Sequence, residues 1–209
     1  YLRGQVAQPT IVPGVQLTHP VTLNQVGAAM KSEYGALNGG WGVGLDAGYA
    51  SGDDAPGFAP YRGTQRTRPL AGDVGGDQAG RGDYTINHFR FSPGYHVDRI
   101  LFRELLGGVT DALYIRPHIR KRILKIGEDQ LEVQVFGMFS IAMEPSSTPG
   151  LKAPLAVELD PSLIYQRGDS FKVALDYALL IPLEGLDNPD AGLAALTAHL
   201  LRIKLSYLF

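Results

Sequence analysis

The sequence predicts an all-β chain folded as an antiparallel transmembrane β-barrel, and three observations predict it. Apolar side chains recur at every second residue over segments of about ten to fifteen residues, which puts them on one face of a strand. That face is almost free of charge, whereas the alternate face carries Arg, Lys, Asp and Glu, the distribution a barrel in lipid requires. Connections alternate between tight and long, as periplasmic turns and extracellular loops do in outer-membrane barrels.

Seven strands are expected, in order. Val26, Ala28, Met30 and Tyr34 alternate with Lys31 and Glu33, and Trp41, Val43, Leu45, Ala47 and Tyr49 alternate with Gly42, Gly44, Asp46 and Gly48. Leu113, Ile115 and Ile119 alternate with Tyr114, Arg116, His118 and Arg120, and Leu131, Val133, Val135, Phe139, Ile141 and Met143 with Glu132, Gln134, Met138 and Ser140. In the next run Leu155, Val157, Leu159, Leu163 and Tyr165 oppose Ala156, Glu158, Asp160 and Ser162, with Pro161 weakening the pattern. Phe171, Val173, Leu175, Tyr177, Leu179 and Ile181 oppose Lys172, Ala174, Asp176 and Ala178, and the chain ends with Leu201, Ile203, Leu205, Tyr207 and Phe209 against Arg202, Lys204 and Ser206. A further, weaker strand is expected around residues 11–18.

Residues 37–40 and 166–170 read as tight turns and 124–130 as a short one, while 51–108, 144–152 and 184–193 are long. If the last strand descends to the periplasm, every tight turn falls on that side. The long loop at about 51–108 is dense in Gly, Asp, Pro and Arg at its start; residues 84–91 suggest a strand, and the spacing of Ile100, Leu101 and Leu105 a short helix. Strand parity places this whole stretch outside the barrel or folded into its lumen. No linker or repeat divides residues 1–209, which are expected to form one barrel domain.

Composition excludes other classes. With 19 basic and 21 acidic residues, a net charge of -2, there is no footprint for nucleic acid. Absence of cysteine removes disulfides, thiolate metal sites and cysteine nucleophiles. No apolar stretch reaches the length of a spanning helix; the longest, 173–183, contains Asp176. The sequence begins at Tyr1 without an initiator Met or signal peptide, so a mature or truncated form is expected. A soluble sandwich would also alternate, but the apolar chain terminus and the aromatic residues Trp41, Tyr34, Tyr165, Phe171, Tyr207 and Phe209 near the tight-turn ends favour a membrane interface.

Arg116, His118, Arg120, Lys172, Arg202 and Lys204 are expected to line the lumen in its periplasmic half, where a basic ring attracts anionic solutes. Glu132, Glu158, Asp160 and Asp176 face the same way, so a ladder of internal ion pairs is the competing expectation. Loop carboxylates Asp53, Asp54, Asp73, Asp77, Asp83, Asp187 and Asp190 lack EF-hand spacing and read as solvated, so no metal or cofactor is expected. The tripeptides Arg81-Gly82-Asp83 and Arg167-Gly168-Asp169 read as turns. His19, His88, His96, His118 and His199 have no nucleophile elbow or metal spacing beside them, so no enzymatic activity is expected.

The ending Leu201, Ile203, Leu205, Tyr207, Phe209 resembles the C-terminal signal by which outer-membrane barrels engage the barrel assembly machinery. The run Gly48-Tyr49-Ala50-Ser51-Gly52-Asp53-Asp54, with Asn87-His88-Phe89-Arg90-Phe91 and Tyr95-His96-Val97-Asp98, resembles the alginate-export-type porins and related myxobacterial barrels; a complete arginine-rich conduit does not align. The resemblance implies a barrel of sixteen or eighteen strands in a Gram-negative outer membrane, with the N-terminal strands absent here or on another chain; a complete eight-stranded barrel is the alternative. It also implies export of polysaccharide or other anionic solutes, among outer-membrane lipid and lipopolysaccharide. The alternative function is a structural barrel that anchors a motility, adhesion or secretion assembly within a multi-protein envelope complex.

Overall fold

The computed structural model describes residues 1–6, 20–36, 39–53 and 85–207. Ten strands account for most of them: β1 (Leu2–Val6), β2 (Val21–Gln25), β3 (Gly27–Gly35), β4 (Trp41–Ala50), β5 (Thr85–Ile86), β6 (Ala112–Ile126), β7 (Asp129–Ala142), β8 (Pro154–Arg167), β9 (Phe171–Pro182) and β10 (Ala198–Tyr207). Seven of them form one antiparallel sheet in the order β10-β9-β8-β7-β6-β4-β3. The sheet is open: among the described residues β3 and β10 are its edges, so the expected barrel is not closed by these strands. The weak strand expected around 11–18, together with His19, Asp54, Asp73, Asp77, Asp83, Arg81-Gly82-Asp83 and Phe209, lies outside the described residues.

Each expected strand forms because its alternation matches the pleat, and the register keeps like with like. On one face Tyr34 opposes Val43, Ala47 opposes Ile115, Ile119 opposes Val135, Leu163 opposes Leu175, and Leu175 opposes Ile203. Most side chains of this face stay exposed, Leu45, Leu163 and Leu175 each at about 40%, while Ala47 and Val135 are half-buried. Ser32, a polar residue in that phase, donates its hydroxyl to the Leu45 carbonyl. Likewise His199 Nδ1 lies 2.6 Å from the Tyr177 hydroxyl. At the tight-turn end the aromatic rings pair edge to face, Tyr34 with Trp41 at 5.9 Å and Tyr165 with Phe171 at 6.2 Å.

On the opposite face β4 carries glycine where β6 carries its largest side chains. The Tyr114 ring lies on Gly48 and the His118 ring on Gly44, where a Cβ would overlap them. One expectation fails here. Leu155 does not join the exposed face; an irregularity in the β7–β8 register after Ser140 turns it inward, where it is fully buried.

The described residues that lead into β6 fold back onto this second face. Residues 87–111 form an inlaid segment with one π-helical turn, Leu101–Leu105, shorter than the helix the spacing suggested. Its Val97, Ile100, Leu101, Phe102, Leu106 and Val109 make the protein's core against Tyr114, Met138, Leu155, Ala156, Ala178 and Leu180 of the sheet. Burying side chains of this size contributes roughly 1.5–3 kcal/mol each, which holds the segment inside although its neighbours are charged. The strand suggested at 84–91 shrinks to β5, which pairs in parallel with β2 in a small sheet ordered β1-β2-β5.

Candidate functional site: a charged trough beside an inlaid segment

The inlaid segment covers the loop end of the polar face, and a charged trough remains open towards the tight turns. The boundary between them is built on Arg99. In β8, Pro161 has no N–H to give to β9, and the pairing passes from Leu159↔Leu179 directly to Ser162↔Asp176. Arg99 fills the gap: Nη1 donates to the carbonyls of Pro161 and Tyr177 at 2.9 and 2.8 Å. Its Nη2 donates to Ser162 Oγ at 2.5 Å and to Asp176 Oδ1 at 2.9 Å.

Glu158, fully buried on the same strand, accepts the next three backbone N–H groups. Arg99 and Ile100 donate to Oε1 and Leu101 to Oε2, all at 2.9 Å. Asp98 accepts from the N–H groups of Phe102 and Arg103, so the first turn of the inlay has its donors satisfied by side chains. Burial, with Glu158 nearby, pushes the Asp98 carboxyl up to about 7. Burial likewise raises Asp111, at the segment's far end, to about 7, against the lowering effect of its hydrogen bonds from Ser147 and the Glu144 N–H. Burial lowers His88.

Beyond this boundary two recesses of about 280 and 420 Å³ meet at Gln134. Arg99, Ser162, Lys172, Asp176 and Lys204 line the smaller; Lys31, Glu33, Asp46, Arg116, His118 and Arg120 line the larger. The bases expected as a ring are mostly paired. Arg116 reaches Asp46 at 3.1 Å and stacks on Phe136 at 3.9 Å; Arg120 reaches Glu33 at 2.5 Å and lies 3.9 Å from Glu132. His118 Nε2 lies 3.6 Å from Glu33, and Lys204 lies 2.7 Å from Asp176. Lys172 makes no ion pair among the described residues. The arrangement is therefore the internal ladder more than a free ring, and Arg116, opposite Asp46, stands at mid-strand and not in the tight-turn half.

Of the expected acids, Glu132 and Asp176 pair across strands with bases. Glu158 departs from expectation by serving the inlay's backbone, with Asp160 buried beside it. Arg99 and Asp98, which alternation could not reveal because they belong to no strand, complete the site. Pro161 was the available signal, since a ladder broken inside a strand needs another donor. The segment also reaches both edges of the sheet: Lys31 of β3 lies 5.3 Å from the Tyr95 ring, and Arg202 of β10 pairs with Glu104 at 3.2 Å.

Among the loop acids, Asp53 accepts the Asn87 N–H and Asp187 the Ala195 N–H, while Asp190 is exposed. Arg167-Gly168-Asp169 forms the β8–β9 turn, with Gly168 at φ 54°. Comparison with family models, with curated proteins and with solved structures gives no match for this chain.

Proposed function

We propose that the sheet is part of the wall of a β-barrel in a bacterial outer membrane, inserted by the barrel assembly machinery among lipid and lipopolysaccharide. The observation that carries the reading is the exposed apolar face. It crosses all seven strands, carries no charge from the loop end down to Lys121, which stands level with Trp41 near the tight-turn end, and closes with a row of aromatic rings. From Phe171 to Ile181 the strand rises roughly 34 Å at ~3.4 Å per residue. At a tilt of ~40° this spans roughly 26 Å of membrane, matching the apolar band of such barrels. Water on that face would leave an apolar surface far larger than soluble monomers carry.

Within that barrel the trough lies on the lumen side, and its function is a porin-like conduit for anionic solutes or polysaccharide. Lys172, His118, Arg120 and Lys204 lie along the tight-turn half of the path, with Arg116 and Arg202 at its middle. The inlaid segment favours a second reading, a plugged barrel that anchors an envelope assembly, because it fills the loop half of the lumen face.

Two measurements test this. Extraction comes first: the protein is expected in the membrane pellet and in detergent, and recovery as a water-borne monomer sinks the reading. Planar-bilayer conductance then separates pore from anchor. A pore is expected to shift towards cations in Arg116→Ala plus Arg120→Ala, which leaves Asp46, Glu33 and Glu132 unneutralised; a silent channel supports the anchor.

A further inference from the structure

We infer that the edge of β3 left unpaired among the described residues is the seat of an ascending strand of the same polypeptide, one that leads directly into β1, and that neither β10 nor a second copy of the chain closes the sheet. The inference rests on the membrane-barrel reading above and adds to it the identity of the missing neighbour.

Strand direction supplies the first step. In a seven-stranded sheet that is antiparallel throughout, the two outermost strands run the same way, so β3 and β10 both travel from the loop end to the tight-turn end. Joining β10 to β3 would make a parallel pair. The same holds between copies inserted in one orientation, since the β10 of one molecule would meet the β3 of the next running alongside it. A barrel antiparallel all round therefore needs an odd number of further strands, and the one beside β3 must ascend.

The small sheet shows where that strand comes from. β2 runs on through Val26 into β3, so the two form one line of backbone. On one side of that line lies the end of β4: Ser51 N donates to the Val26 carbonyl at 2.8 Å, Val26 N donates to Ser51 Oγ at 3.0 Å, and Phe89 N donates to the Ser51 carbonyl at 2.9 Å. These bonds bring β5 to the β4 side of β2. β1 occupies the other side, because β2 is the middle strand. It is antiparallel to β2, with Leu2 opposite Gln25 and Val6 opposite Val21. β1 thus moves away from the main sheet, and its line extended backwards lies along the open edge of β3. Continued in the same register, Tyr1 falls opposite Val26, and the residues leading into it fall opposite Gly27 and onwards to Gly35. An existing strand pair is simply prolonged, with no change of partner or register.

The test places a photo-crosslinking amino acid at Ala29 of β3, on the lumen face, and in a second variant at Met30, on the lipid face, in the full-length gene expressed in its own envelope. Adducts are mapped by mass spectrometry after the membrane pellet has been separated from the aqueous fraction. The expected adduct joins β3 to a peptide of the same polypeptide that precedes Tyr1. An adduct to β10, to another protein, or none at either position in the membrane-bound protein overturns the inference. Recovery in the aqueous fraction is a different failure, that of the membrane reading. As a second measurement, cysteines at Tyr34 and Tyr207, both at the tight-turn end, are expected to stay unlinked; a disulfide between them, within one molecule or between two, overturns the inference.

Discussion

The guanidinium of Arg99 stands where Pro161 has no hydrogen to offer, so a side chain from outside the sheet completes a strand pair of the sheet. If the sheet is a barrel wall as proposed, water cannot readily serve an orphaned carbonyl there, and that contact matters more than an ordinary surface bond.

Arg99→Ala is expected to destabilise the folded protein by roughly 1–3 kcal/mol, since it leaves the Pro161 and Tyr177 carbonyls without their donor and Asp176 with only Ser162 and Lys204 as partners. Arg99→Lys is expected to recover little, because one ammonium cannot reproduce the planar fork. Pro161→Ala in the Arg99→Ala background is expected to regain part of the loss by restoring an N–H. Urea unfolding in lipid vesicles measures all three; an Arg99→Ala protein within about 0.5 kcal/mol of the parent would refute the account.

Adjacent residues of β7 point to opposite surroundings. On the proposed membrane reading, Val135→Arg is expected to cost roughly 2–4 kcal/mol and to reduce insertion into vesicles. Gln134→Arg, placed between the two recesses, is expected to fold like the parent. Equal tolerance of both variants would mean that hydrocarbon does not cover the face that includes Val135.

At Gly48 the Tyr114 ring occupies the space of any side chain. Gly48→Val is expected to cost roughly 1–3 kcal/mol through overpacking. Gly127, with nothing near its Cβ position but φ at 59°, is expected to accept Asn far better than Val. Thermal unfolding of the three variants compares them directly.

Asp98 and Asp111 are raised from 3.8 to about 7 in the folded protein. For an acid with a raised folded value, the unfolded chain ionises first. The stability contributed is complete below about 4, falls as pH rises through the window, and is gone above about 7. The slope is at most roughly 1.4 kcal/mol per pH unit for each group. Hydrogen exchange at the Leu101 and Phe102 amides, corrected for intrinsic rate, is expected to show firmer docking of the inlaid segment at pH 5 than at pH 8. Asp98→Asn is expected to flatten this dependence, and an unchanged profile would remove Asp98 as its source.

The seven long strands and their shared apolar phase were legible in the sequence because alternation is a local property set by the pleat. The inward direction of Arg116, Arg120, Lys172 and Lys204 followed from the same rule. What each base meets was not legible: Asp46 and Glu33 reach Arg116 and Arg120 through strand pairings whose register depends on the whole sheet. The role of Glu158 was hidden for another reason. Its partners are backbone N–H groups of a loop, which carry no sequence signal. Leu155 misled because a bulge shifts the phase, and nothing in Leu155, Ala156 and Val157 marks where the extra residue falls.

Lys31 against Tyr95 and Glu104 against Arg202 make the inlaid segment a strut between the two rims of the arc. Its length sets how far the rims stand apart, and hence how tightly the arc bows. In a barrel of the kind proposed above, a few residues spanning the interior would set the bore, and lengthening the strut would widen it without altering a single strand.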